Sequence, residues 1–555
     1  MGWLKLAGPF FFCDMKSVMN FDFSKVPTCS LPRSVFDRTS GHKTTFDVDY
    51  LVPFFLDEVL PGDTFSCNST FLIRFNDLLR PFMDNLYFDT FWFFVPNRLV
   101  WEHWVNLMGE KKGPADTTDY VVPTIDIPAT AITEQSLHAY FGLPINLNGA
   151  GGSIQVNALP YRAYYLIWNE FFRDENLQSP VSNITGDSGG TDYHLMKRGK
   201  RHDYFTSALP WPQKGPAVTL PLGTTAPVIG NGKTLGFTNG SDFFGLGSGF
   251  TVDNNSYFLG NSKGSYGSNV GSGAGASELS QKTAGITTDP EKSGLICDLS
   301  TATAATINQL REAFAIQRLY ERDARGGTRY FEMLQSGYGV HNPDARLQRP
   351  EYLGGSSQRI NVTTIAQTSS ATSNSPQGNL AAFSSTGAHS GFRKSFTEFG
   401  YVIGLCCVRA DLTYHQGVER HWFRKTRFDF YHPVLAHLGE QAVYNKEIYW
   451  QGNTKYGDDK AFGYQERWAE YRYKPSRISG YLSPNSSLPL DQWHLSQHFD
   501  ECPKLNGDFI QENVPINRVR AVTDIPATFL MDSYTSLKCA RVMPTYSVPG
   551  MIDHF

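Results

Sequence analysis

The sequence predicts an all-β-dominated fold, one large antiparallel sandwich whose long insertions carry several helices. Two runs and one absence lead to it. From Leu86 to Val95 nearly every residue is aromatic or β-branched, which favours an extended and buried strand. Phe399 to Leu412, FGYVIGLCCVRADL, is a second run apolar on both faces. Between them no stretch has the composition of a linker joining independent cores, although 555 residues would allow three or four domains by length. Hydrophobic residues at 41% and aromatics at 14% suffice for a large core.

Taken in order, residues 1–38 read as an extension and arm, because Asn20 to Arg38 has little periodicity and holds Pro27 and Pro32. Gly41 to Phe75 alternates as two strands split by a turn at Pro61-Gly62-Asp63. In the first core strand Leu86, Phe88, Thr90, Trp92 and Phe94 share one face, and Tyr87, Phe91, Phe93 and Val95 share the other with a single Asp89. Such a strand needs a second sheet on one side and helices or partner chains on the other. Pro96 then stops the ladder, Asn97 serves as a helix N-cap, and Val100, Trp104, Leu107 and Met108 follow at helical spacing to Gly109.

Thr117 to Asn148 is broken by Pro123, Pro128 and Pro144. Tyr161 to Arg173 has the wide apolar face of a helix. From Leu222 to Lys292 Gly, Ser, Asn and Thr dominate, so this reads as a surface insertion that cannot order itself alone. Ser300 to Arg325 is the clearest helix, capped by Ser300 and ended by Gly326-Gly327. Ile307, Leu310, Ala313, Phe314, Ile316 and Tyr320 form its expected buried half, and Arg311, Arg318 and Arg322 a stripe on the other. Asn361 to Ser390 reads as loop and edge strand, and the Tyr-, Trp- and Pro-rich chain after Tyr444 as loops packed on a shared surface.

Charged residues make up only 18% and the net charge is −4. A protein that neutralised a genome alone would be strongly basic, so contact with nucleic acid must be local or delegated. The eight cysteines contain no CxxC, and free thiols are the expectation. There is no membrane span and no signal peptide pattern. Gly260-Asn261-Ser262-Lys263-Gly264 fits a hydrolase pattern without its strand-to-helix context, and PVIGNGKT (Pro227 to Thr234) misses the first glycine of a phosphate loop. His415, His421, His432 and His437 lack metal-ligand spacing. No catalytic residue, cofactor or metal site is expected. The basic candidates are Lys197, Arg198, Lys200 and Arg201, bordered by Tyr204 and Phe205, which could grip phosphates while a ring stacks a base. Arg424, Lys425 and Arg427 form a second cluster.

The stretch MDNLYFDTFWFFVPNRLVWEHW (Met83 to Trp104) and the preceding Phe36 to Phe65 closely resemble the major capsid proteins of Microviridae, on the gokushovirus branch. Further matches lie at Leu159 to Gln178, Lys197 to Pro216, Arg311 to Val340, GYLSP (Gly480 to Pro484) and the final PGMIDHF. The resemblance begins near Met15, so Met15 rather than Met1 is expected to start the virion protein, with residues 1–14 an extension absent from it. It implies an eight-stranded antiparallel β-jelly-roll coat subunit, split into a first part at 39–221, the insertion at 222–292 and a second part at 293–555. It also implies a sixty-subunit T=1 shell around circular single-stranded DNA, assembled in the bacterial cytoplasm. Implied partners are a small basic DNA-binding virion protein, a pilot protein and a host cell-surface receptor. In such relatives the insertion projects near a threefold axis, which makes Phe243, Phe244, Phe250, Tyr257 and Phe258 the trimer candidates. The rival reading is a secreted carbohydrate-binding β-sandwich, which would need an export signal and disulfides.

Overall fold

The computed structural model describes residues 32–546, except for most of 219–306 and 362–379 and short stretches elsewhere. The chain divides into two compact units, one from Met1–Pro212 with Ala324–Phe555 and the other from Gln213–Asp323.

The larger unit is built on nine strands: β1 (Arg33–Asp37), β2 (Ser40–Phe46), β3 (Val52–Val59), β4 (Thr64–Phe75), β5 (Leu86–Pro96), β6 (Glu351–Ile360), β7 (Thr386–Ser395), β8 (Gly400–Ala410) and β9 (Phe529–Val542). One antiparallel sheet runs β2–β9–β4–β7, with β1 beside the far end of β9; the other runs β6–β5–β8–β3. β1 pairs with Lys538 to Val542 and β2 with Phe529 to Thr535, so the two act as one strand broken at Arg38-Thr39.

The main core lies between the sheets. Phe65, Phe71 and Ile73 of β4 and Phe529 and Met531 of β9 meet Leu86, Phe88, Trp92 and Phe94 of β5 and Val402 and Val408 of β8. Trp92 is fully buried at its centre, edge-on to Phe54 at 5.0 Å, and its Nε1–H donates to Ser390 Oγ at 3.0 Å. The opposite face of β5 and β8 carries a second core. There Phe93, Val95, Ile403 and Leu405 pack with Tyr161, Tyr164 and Ile167 of helix α1 (Leu159–Ile167). The two faces read from the sequence are thus covered as expected, one by a sheet and one by a helix.

Several elements differ from expectation. The helix after Pro96 is two single turns, Asn97–Val100 and Trp104–Leu107, and the Asn97 side chain makes no cap. Gly41 to Phe75 holds three strands, because Asp49, with φ of 76°, adds a break after β2. α1 ends in a π-turn at Trp168–Phe172. β9, the longest strand, arises where only loops were expected. Its signal was legible as strict alternation, with Phe529, Met531, Ser533, Thr535, Leu537 and Cys539 buried. Helix α2 (Ile307–Gly326) is present, while Ser300 lies outside the described residues. Its expected buried half is not buried: Ile307 and Phe314 are exposed, and Leu310, Ala313, Ile316 and Tyr320 only partly covered. A glycine-rich unit supplies too little apolar surface to cover such a face.

Candidate nucleic-acid interface

The segment Lys197 to Arg201 is held like an added strand across the outer face of the β5–β8 sheet. Arg198 N–H donates to Asp49 O at 2.9 Å, Lys200 N–H to Ile510 O at 2.7 Å, and Glu512 N–H to Arg198 O at 2.8 Å. Strand-like alternation then sends Arg198 and Lys200 inward. Arg198 reaches Asp89 Oδ2 at 2.5 Å and Cys407 Sγ at 2.9 Å, and its guanidinium lies over the Phe91 ring. Arg409 of β8 reaches the same Asp89 oxygen at 2.8 Å. Lys200 is buried over the Phe509 ring. Lys197 and Arg201 are half-buried: Lys197 lies over Tyr50, while Arg201 pairs with Asp411 at 3.1 Å and stacks on Tyr87 at 3.8 Å.

The lone acid of the core strand is the anchor of this cluster. Burial works against its ionisation, but the Arg198 guanidinium, a hydrogen bond from Ser357 and Arg409 together hold the Asp89 carboxyl below the usual carboxylate range. Beneath the segment lie two more acids. Asp49 accepts Val514 N–H at 3.2 Å on both oxygens, and burial raises its pKa to about 7. Glu512 is fully buried, with no hydrogen-bond partner for either side-chain oxygen among the described residues. Burial first, and Asp49 beside it, push its pKa up, against Arg409, Lys200 and Arg198.

A cavity of about 800 Å³ opens at this place. Phe91, Phe93, Phe172 and Tyr352 wall it, and Arg173, Arg198, Lys200, Arg201, Arg329 and Arg409 outnumber its carboxylates Asp174, Glu175 and Glu332. Cations set among rings suit a phosphate and a stacked base, although much of that charge is matched inside the subunit. The rings expected to stack a base, Tyr204 and Phe205, cannot reach one as they stand. Both are buried in a third apolar cluster with Tyr414 and Phe462, and the Tyr204 hydroxyl donates to Glu447 Oε2 at 2.8 Å.

The second basic cluster is divided. Arg424 pairs with Glu470 at 3.1 Å and lies 4.4 Å from the Tyr471 ring, whereas Lys425 and Arg427 are exposed. Of the insertion candidates, Phe243 and Phe244 fall in a short strand, Phe243–Gly245, paired with Gly236–Thr238; Phe250, Tyr257 and Phe258 lie outside the described residues. His415 and His498 stack as a pair, and among the described residues no three candidate ligands gather for a metal ion. No helix among the described residues is long and apolar enough to cross a membrane.

Residues 24–551 match the family described as Capsid protein (F protein). The chain is 43% identical to Capsid protein VP1 of Chlamydia phage 1, across 97% of this chain and 98% of that protein. It is 44% identical to Capsid protein VP1 of Bdellovibrio phage phiMH2K, across 96% and 98%. Capsid protein VP1 of Spiroplasma virus 4 is 37% identical, across 96% and 97%. Matched over nearly its whole length, the chain belongs to the Capsid protein (F protein) family, among the major capsid proteins of gokushovirus-type phages, and is a component of the virion.

Proposed function

We propose that the subunit closes into a sixty-copy T=1 shell around a circular single-stranded DNA genome and carries out no catalysis. The observation that carries this reading is family membership along almost the entire chain. The strand order supports an eight-stranded jelly roll. With β1/β2 counted as one strand, the first, eighth, third and sixth strands form one sheet and the second, seventh, fourth and fifth the other. That is the order of two Greek keys. Sixty copies of a 62.1-kDa chain make about 3.7 MDa. Purified protein should elute as a particle of that size, and a stable monomer would overturn the reading. A secreted carbohydrate-binding role is not favoured by the family.

A net charge of −4 supports leaving most genome neutralisation to a small basic virion protein, with a pilot protein as a further partner. Direct contact with DNA is then local, at the cavity beside Lys197–Arg201. Arg198 and Lys200 are turned inside the subunit, whereas Lys197 and Arg201, the latter paired with Asp411, are only half-buried and are the pair to test. Lys197→Gln with Arg201→Gln should leave particles of normal size that retain less DNA, with a weaker dependence of retention on salt. Loss of the particle would instead make these side chains structural. Arg424, Lys425 and Arg427 are the weaker candidates, Arg424 being matched by Glu470.

The insertion at 222–292 is proposed to meet the host receptor, with Phe243, Phe244, Phe250, Tyr257 and Phe258 holding three copies together. Its composition supports exposed, varied turns rather than a rigid core. Replacing Leu222–Lys292 by a short Gly/Ser linker should preserve the particle and abolish adsorption to the host; normal adsorption would refute the role.

A further inference from the structure

Six large rings that no core claims lie close together in the larger unit: Trp422, Phe428, Phe430, Tyr431, Tyr471 and Tyr473. Trp422 is 70% exposed and Phe428 68%, and the other four are 44% to 54% exposed. Five of them are tied together directly, and Phe428 stands two positions before Phe430 in the chain. Tyr431 and Tyr471 are in ring contact at 6.1 Å, the Arg424 guanidinium lies over both Phe430 and Tyr471, and Trp422, Tyr471 and Tyr473 line one cavity of about 320 Å³. At about 200 Å² of surface per ring, the six expose on the order of 700 Å². A standard protein interface buries about 800 Å² per partner, so this one patch nearly supplies one side of such a contact.

We infer that the Trp422–Tyr473 aromatic face is a contact between subunits, covered in the particle by a second copy of this chain. The inference rests on the shell reading and adds to it where one of the contacts lies. Charge decides between a protein and a polyanion as occupant. Four cations among the rings are already matched by carboxylates of the same subunit: Arg424 with Glu470 at 3.1 Å, Arg420 with Glu447 at 3.0 Å, and Lys474 and Arg477 sharing Glu419 at 2.6 and 3.2 Å. Apart from the exposed Lys425 and Arg427, a nucleic acid would find rings here but little positive charge that the subunit leaves unmatched. A second copy needs only apolar area and a stacked Arg, the composition of an interface hot spot. Lys425 and Arg427, exposed beside Phe428, fall at the rim of this contact.

Hydroxyl-radical footprinting of the unmodified protein tests this without any variant that could misfold. Oxidation of Trp422 and Tyr471 is compared in dissociated subunits, in empty shells and in DNA-filled particles. Both residues should be oxidised at least ~5-fold less in empty shells than in free subunits, since a hot spot excludes water, with no further change on filling. Equal oxidation in free subunits and empty shells would overturn the inference while leaving the shell reading intact. Protection that appears only in filled particles would assign the patch to the genome and overturn it too. If no shell forms at all, the shell reading fails and this inference with it.

Discussion

Replacing Asp89 by Asn is expected to destabilise the subunit by about 3–5 kcal/mol, the cost of leaving buried charges without their counter-ion. Asp89 is almost completely buried in β5. Two guanidiniums, from Arg198 and Arg409, converge on one of its oxygens at 2.5 and 2.8 Å, and each of the three side chains has little solvent to fall back on. Asn keeps the shape and removes the charge, so both arginines would face a neutral amide. Against a total stability of about 5–15 kcal/mol, that loss is enough to deplete folded subunit. Denaturant midpoints measure it, and an unchanged midpoint would show that the cluster contributes nothing. Adding Arg409→Gln to Asp89→Asn should recover part of the loss, because it removes one of the unpaired charges.

The stability contributed by two buried acids should fall as pH rises from about 5 to about 8, opposite to the usual behaviour of carboxylates. Asp49 and Glu512 are buried acids with raised pKa values, Asp49 to about 7 from an ordinary 3.8. A folded group with a raised pKa holds a proton that the unfolded chain has already released. Its contribution is complete below the unfolded pKa, declines as pH rises, and is gone above the folded pKa. For Asp49 that window runs from 3.8 to about 7, and Glu512 acts in the same direction. Glu512→Gln keeps the size of the side chain and cannot ionise. It should therefore be more stable than the natural protein at pH 8 by on the order of 1–3 kcal/mol, the range for a buried group without a partner. The advantage should shrink toward pH 5. Lys200, which burial pushes the other way, faces Glu512 and loses that charge in the variant, so the difference between the two proteins reports Glu512 together with its attraction to Lys200. Denaturant midpoints at the two pH values give the answer, and parallel pH profiles for the two proteins would defeat the idea.

Local pattern determined β5, β8 and α1, because each is a run whose periodicity or two-sided apolarity has only one comfortable environment. The need to cover both faces of β5 was equally legible, since a strand with Trp92 on one side and Phe93 on the other cannot face water with either. β9 was readable from its alternation but is easily passed over, because Ser533 and Thr535 occupy core positions that an apolar pattern would miss. Ser69 and Thr535 share a hydrogen bond of 2.7 Å inside the sandwich, which makes those hydroxyls tolerable there.

What composition could not decide was where charge and rings end up. Lys197, Arg198, Lys200 and Arg201 look alike in sequence, and only the pairing of that segment with Asp49 and Ile510 to Glu512 turns two of them inward. Asp89, read as an isolated acid in an apolar strand, becomes the counter-ion of a residue 109 positions away. Tyr204 and Trp422 are likewise equivalent by residue class, yet one is buried and the other 70% exposed. The sequence alone determined the two core strands β5 and β8, the capsid family and the scarcity of charge, because these follow from periodicity and residue choice along the chain. Only the tertiary structure decided which cations are matched and which rings await a partner. Burial and ion pairing depend on distances between residues far apart in the chain, and no local pattern records those distances.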